Sequence, residues 1–217
     1  MKRPHVIINC AMSTDGKIAS PIRKQMQISC DEDIKRMYHL RNECDAVLVG
    51  VGTILTDDPK LTVKEKYVKH PKQPLRVVLD SKGRTPPHAL VLNSITKTII
   101  ITAKKTEKRY NEPHIEVVKC KTDKNGLIDL RSALILLYQK GIRTLLVEGG
   151  GTVIWNFLKK KVVDDLYLYI KPCVIGGSET PTLAEGEGIK NNEDGIPLTI
   201  VKVKRLGPGL LIHYQPK

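Results

Sequence analysis

Residues 143–158, RTLLVEGGGTVIWNFL, constrain this chain more than any other stretch. Arg143 to Val147 has the leucine and β-branched composition of a buried strand. Glu148 stands at its carboxyl end, and Gly149, Gly150, Gly151 and Thr152 follow at once. Val153, Ile154, Trp155, Phe157 and Leu158 then recur at helical spacing, so the stretch reads as strand, glycine turn and helix. Glycine lets backbone approach a ligand, and the opening N–H groups of a helix have no partner within it. Those donors and the positive end of the helix dipole favour a phosphate or pyrophosphate, with Thr152 placed to cap the helix or donate a hydroxyl. The same turn can serve as a plain connection, and neither the G-x-G-x-x-G nor the P-loop pattern is present. Three successive glycines exceed what a turn requires and favour the phosphate. Glu148, beside that site, suits a substrate donor better than the phosphate itself.

At 217 residues with 41% hydrophobic content, the chain is expected to form one domain with a substantial core. No run of about 18 apolar residues supports a membrane span. The start, MKRPHVIINCAMSTDGK, reaches Asn9 and Asp15 too soon for a signal peptide. Cysteines 10, 30, 44, 120 and 173 are scattered, without C-x-x-C or His/Cys ligand spacing. Free thiols in a reducing cytoplasm are expected, and no metal site. The net charge of +13 raises nucleic acid as a partner, but only 4% of residues are aromatic and no nucleic-acid-binding motif appears. Lysine spread along the whole chain fits a solvated surface or anionic small substrates instead.

In chain order, HVIINC (5–10) reads as an opening strand, followed by a polar turn at residues 13–17 that is either a simple Asp-Gly turn or a ligand loop. Ser29-x-x-Glu32 forms a capping-box pattern before a helix bearing Ile34, Met37, Tyr38 and Arg41. Arg41 falls near the apolar side, so either its stem packs while its head reaches water or it meets an anion. DAVLV (45–49) is a strand running into Gly50-Val51-Gly52-Thr53, a second glycine-and-threonine turn. The loop that follows, with Asp57, Asp58, Pro59 and Lys64, is stiffened by proline and carries ionic groups suited to function. LRVVL (75–79) is a strand ending in Asp80, Ser81, Lys82, Gly83 and Arg84. Ser81, Lys82 and Arg84 are good ligands for a monoester phosphate such as the 2′-phosphate of NADP, although Asp80 complicates that reading. Strands at 97–102 and 115–118 and a helix at 129–140 with Asp129 as N-cap come next. A strand at 165–170, a long loop through SETPTLAEGEG and a hairpin of 199–205 with 210–214 complete the chain. The alternation of strands and helices to residue 158 predicts a largely parallel, helix-covered sheet, with antiparallel members added by the tail.

Three spaced runs, AMSTDGKIA, VGVGTILTDDPKLTV and LVEGGGT, together resemble the riboflavin-biosynthesis reductases. The resemblance runs from about residue 5 to residue 214 and implies a dihydrofolate-reductase-like α/β fold. It further implies NADPH-dependent reduction of a phosphorylated ribosylamino-pyrimidine to its ribitylamino form. Hydride would go directly to C1′ of the ring-opened imine, with no side-chain nucleophile. The cofactor would touch Ala11, Thr53, Asp57, Ser81 and the Gly150–Thr152 turn, and the substrate Arg41, Leu61, Lys64 and Glu148. Arg41 and Lys64 would pair on the 5-phosphate, and Glu148 would hold the pyrimidine amino groups. The bacterial bifunctional relatives carry a zinc deaminase signature that this chain lacks, and commonly have Lys where Asn9 stands. Both differences resemble the stand-alone archaeal and fungal reductases, homodimers that act before deamination on the 2,5-diamino-pyrimidinone. A pterin or folate reductase of the same fold is one alternative, weighed down by the separate phosphate ligands. A reductase acting on the deaminated 5-amino-6-(5-phosphoribosylamino)uracil is a second, and a basic nucleotide- or nucleic-acid-binding protein without catalysis is a third.

Overall fold

The computed structural model describes residues 2–22, 26–189 and 195–217. Its elements in order are β1 (His5–Ser13), α1 (Asp31–Glu43), β2 (Ala46–Gly50), α2 (Val51–Asp57), β3 (Leu75–Leu79), β4 (Thr98–Ala103) and β5 (Ile115–Cys120). They continue with α3 (Leu130–Gln139), β6 (Thr144–Val147), α4 (Gly151–Lys159), β7 (Asp165–Lys171), β8 (Leu198–Leu206) and β9 (Gly209–Pro216). Two compact units result: Met1–His5 with Tyr38–Leu146, and Val6–Met37 with Val147–Lys217. None of the described helices is long and apolar enough to cross a membrane.

In the first unit the strands lie in the order β5-β4-β3-β2-β6. The pairs β2–β3, β3–β4 and β4–β5 are parallel. Successive side chains of a strand point to opposite faces, yet all five residues of β2 and the first five of β4 are buried. Both faces of these strands are therefore covered, which is why they read as unbroken Val, Ile and Leu runs. Helix α3 follows its sequence signals: the Asp129 carboxylate accepts from the Ser132 N–H at 2.8 Å, and Leu130, Ala133, Leu134 and Leu137 are buried.

Asp45, just before β2, ties that strand to β6. Its carboxylate accepts from the backbone N–H groups of Arg143 (2.9 Å) and Thr144 (3.0 Å) and from Lys72 Nζ (3.1 Å). Burial opposes its ionisation, but these donors outweigh burial and hold the carboxyl at about 2 instead of 3.8. Because the folded-state value is depressed, the stabilisation is complete above 3.8 and is lost as pH falls toward 2. Asp45→Asn is expected to melt lower than wild type at neutral pH and to lose less on acidification. Parallel melting curves across that acid window would disprove this anchor. Asp15, lowered to about 2 by its bonds from Ser13, Gly176 and Ile175, leaves a residual acid slope in both proteins.

In the second unit the order is β1-β7-β9-β8. β1 and β7 are parallel, whereas β7–β9 and β8–β9 are antiparallel, giving the C-terminal hairpin expected from the glycine-proline-glycine turn. β8 stands apart: its seven interior residues are all exposed, including Ile200, Val201 and Val203.

Three local expectations are corrected. The 51–57 stretch, read as glycine turn and stiff loop, is the helix α2, too short for a hydrophobic period to register and carrying a glycine inside it. Ser29 does not form a capping box. Helix α1 starts at Asp31, and the Ser29 hydroxyl donates instead to the Asp33 carboxylate at 2.6 Å. Thr152 does not cap α4, because the cap is Gly150 and Thr152 lies exposed within the first turn.

Candidate active site

In the first unit Arg41 and Lys64 converge on one aromatic ring. The Arg41 guanidinium lies 5.3 Å and the Lys64 ammonium 5.7 Å from the centroid of Tyr38. Tyr38 is buried and stacks on Tyr67 at 4.6 Å, which itself has Lys66 5.3 Å from its centroid. The electron-rich ring faces attract the cations and hold like charges together that would otherwise separate. Arg41 Nη1 also donates to the Thr62 carbonyl at 2.9 Å, so the half-buried arginine is fixed by protein groups at one end of its fork. Leu61 is buried and adopts a left-handed φ of 52°, a conformation costly for a branched side chain. Such a backbone persists only where its surroundings over-determine it, and it carries the chain from Pro59 to Lys64.

The parallel pairing of β3, β4 and β5 brings their carboxyl ends together at an open cleft of about 950 Å³. Ser81, Lys82 and Gly83 line it, the first two being among the three residues read from the sequence as phosphate ligands. Lys104, Lys105, Lys108 and Lys121 join them, with Glu107 as an acid among the lining residues. The close fit of the loops requires a glycine: a Cβ on Gly83 would lie 2.8 Å from both Lys108 Cβ and Thr106 Cγ2. Asp80 does not face this cleft as a competing acid. It is fully buried, and its Oδ2 accepts from the Thr85 N–H and hydroxyl, each at 2.7 Å, bracing the turn from below. Arg84 is exposed and lies outside the lining residues. The four lysines beyond residue 100 escaped the sequence reading. Only adjacent strand ends bring them to Ser81. Thr53 and Asp57 sit half-buried in the first and last turns of α2.

In the second unit Glu148 follows β6 and is half-buried, and Gly149 at φ 118° turns the chain into α4. No side chain caps that helix, and Gly150 to Thr152 form its start. A Cβ on Gly151 would meet the Thr182 carbonyl at 2.5 Å and Glu185 Cγ at 2.8 Å, so only glycine lets residues 182–185 close over the turn. Ala11 lies in β1 opposite Tyr169 of β7. Its neighbour Cys10 is held protonated: burial foremost, then the charges of Asp33 and Glu148, push the thiol up to about 12. Asn9, also in β1, accepts from Arg36 Nη2 at 2.5 Å, and Arg36 is paired in turn with Asp33 at 2.7 Å.

The cationic pair over Tyr38 can hold a phosphate monoester, and the lysine cleft can hold a second anionic group. Comparison with known proteins bears on the chain as a whole. Over 218 residues the chain is 40% identical to the 2,5-diamino-6-ribosylamino-4(3H)-pyrimidinone 5′-phosphate reductase of Methanothermobacter thermautotrophicus, covering 99% of each chain. The reductase of the same name from Archaeoglobus fulgidus is 37% identical over 217 residues, with 97% of each covered. Among solved structures, the bifunctional deaminase/reductase of Thermotoga maritima superposes with a TM-score of 0.84 at 27% identity, spanning 99% of this chain and 57% of that one. The yeast reductase Rib7 shares the fold, with a TM-score of 0.75 at 20% identity over 99% of this chain and 90% of its own. The description of the RibD C-terminal domain fits residues 4–212, and the chain belongs to that family of dihydrofolate-reductase-like proteins.

Proposed function

We propose that the chain, as a single reductase domain in the cytoplasm, reduces 2,5-diamino-6-ribosylamino-4(3H)-pyrimidinone 5′-phosphate to its ribitylamino form with NADPH, in riboflavin biosynthesis. The observation that carries this reading is the end-to-end likeness to the archaeal reductases of that name. The local chemistry supports it. Arg41 and Lys64 supply two cations for the 5-phosphate, and Leu61 lies against the same segment. Glu148 accepts from the amino groups of the pyrimidine.

The lysine-lined cleft fits the 2′-phosphate that distinguishes NADPH from NADH: Ser81 and the Gly83 turn can donate to it, and four further lysines neutralise it. Thr53, Asp57, Ala11 and the Gly149–Thr152 turn take the rest of the cofactor. When bound, the cofactor supplies the hydride that reduces C1′ of the ring-opened ribosylamine, whose nitrogen gains a proton. The chain's own residues bind and orient the reactants. The Cys10 thiol, held protonated, takes no part as a nucleophile.

A homodimer is part of the same reading, supported by the exposed Ile200, Val201 and Val203 on β8, a strand long and apolar enough to invite a second copy. The testing measurement is nicotinamide oxidation with the diamino substrate, its deaminated counterpart and dihydrofolate, each with NADPH and with NADH. Turnover of the diamino compound, favouring NADPH, is the expected result. Turnover of only the deaminated compound would overturn the substrate, and equal use of NADH would overturn the role given to the lysine cleft.

A further inference from the structure

Residues 61–64 carry one of the two cations of the phosphate site, Lys64, but lie outside every helix and strand. Backbone donors and acceptors there must be met by other means. Thr62 gives its carbonyl to Arg41. Val63, which is buried, gives both of its backbone groups to one side chain: its N–H donates to Gln73 Oε1, and Gln73 Nε2 donates to its carbonyl, each at 2.9 Å. A primary amide is suited to this, because it offers one donor and one acceptor side by side, as a neighbouring strand would. Gln73 itself is well anchored. It precedes Pro74, which biases it to extended backbone, and β3 starts two residues later. Immediately after Val63, the Lys64 carbonyl accepts from Tyr67 and Val68 (2.9 and 3.3 Å), so Val63 is the fixed point between the left-handed Leu61 and the turn that brings Tyr67 to Tyr38.

We propose that Gln73 is a positioning residue for the phosphate-binding pair. By clamping Val63 it sets where the Lys64 ammonium stands and, through Thr62, where the Arg41 guanidinium points. The proposal rests on the assignment of Arg41 and Lys64 to the substrate phosphate. Gln73 touches neither substrate nor cofactor in this scheme, and its effect passes through the main chain of 62–64. Preorganisation of this kind raises affinity by removing the cost of ordering the segment on binding.

Gln73→Met keeps the side-chain length and removes both bonds. It is expected to weaken binding of ribose 5-phosphate, followed by titration calorimetry, and to raise KM for the pyrimidine phosphate, each by roughly ten-fold. KM for NADPH and kcat should stay within about two-fold of wild type, since no other part of the site is touched. Gln73→Glu supplies a second signature. Ionised, it repels the Val63 carbonyl. Protonated, its acid group mimics the amide. Its affinity for ribose 5-phosphate, taken as a ratio to wild type at each pH, should therefore recover as pH falls through the ordinary carboxyl range. A Gln73→Met protein that melts lower yet binds ribose 5-phosphate like wild type would overturn the proposal, as would a flat pH ratio for Gln73→Glu. Failure of wild type to turn over any pyrimidine phosphate would fail the reductase reading instead, while the calorimetry would still decide the role of Gln73.

Discussion

Arg76→Met is expected to melt about 6–12 °C below wild type, a large loss for a single substitution in a chain of this size. Arg76 lies within β3 and is fully buried. Its guanidinium donates to Asn93 Oδ1 (2.9 Å), to the carbonyls of Asn93 and Thr96 (2.5 Å each) and, more weakly, to that of Lys60 (3.5 Å). Every one of these acceptors is neutral. Burial pushes the group down from 12.5 to about 10, so it is still charged at neutral pH. That depression corresponds to a cost of about 3 kcal/mol for keeping the charge in place. Charge-assisted bonds to three close oxygens return about 1.5–3 kcal/mol each and more than offset it. Methionine would relieve the cost but strand the carbonyls in the core, leaving a net loss of about 3 kcal/mol. Arg76→Lys is not expected to rescue, since a single ammonium cannot bridge oxygens spread around a planar fork. A melting temperature within about 2 °C of wild type would mean that water reaches those carbonyls and that the arginine is dispensable.

Arg76 also marks what could be read in the chain and what could not. LRVVL is legible as a strand, because its apolar residues and flanking breakers carry the pattern. Three of the arginine's four acceptors are main-chain oxygens, from residues 60, 93 and 96, and main chain looks alike at every position. Gln73 and Asp45 escaped notice for the same reason: their partners are the backbone of Val63 and of residues 143–144. By contrast, the residues with distinctive side-chain chemistry, Arg41, Lys64, Ser81 and the glycines at 149–151, stood out from residue type and place. The lysine cleft was half legible. Lys82 sits beside a recognisable strand end, whereas Lys104, Lys105, Lys108 and Lys121 reach it only because β3, β4 and β5 pair in parallel with their carboxyl ends adjacent. Helix α2 was lost to its brevity, and β8 was read as half of a hairpin whose apolar residues suited an interface, while the exposure of both its faces became plain only in the fold.

Arg41→Met is expected to raise KM for the phosphorylated pyrimidine by roughly 10- to 100-fold, the loss of one charge-assisted contact to a phosphate. KM for NADPH should hold, because the lysine cleft does not include Arg41. The informative quantity is the ratio of kcat/KM for the phosphorylated substrate to that for its dephosphorylated counterpart. In wild type that ratio measures what the phosphate contributes to the transition state, and in Arg41→Met it should fall toward one. Arg41→Lys keeps the charge but not the fork, and an ammonium cannot bond the Thr62 carbonyl while also gripping a phosphate as the guanidinium does. It should recover only part of the ratio. Protonation of the ligand gives an independent reading. A phosphate monoester gains its proton near pH 6, so wild-type KM should rise below that value as the dianion disappears. In Arg41→Met the rise should be shallower, since one of the two cations that distinguish dianion from monoanion is gone. Lys64, over the same Tyr38 ring, accounts for the slope that remains. If discrimination between phosphorylated and dephosphorylated substrate survives intact in Arg41→Met, the arginine serves protein groups such as the Thr62 carbonyl and the phosphate is bound elsewhere.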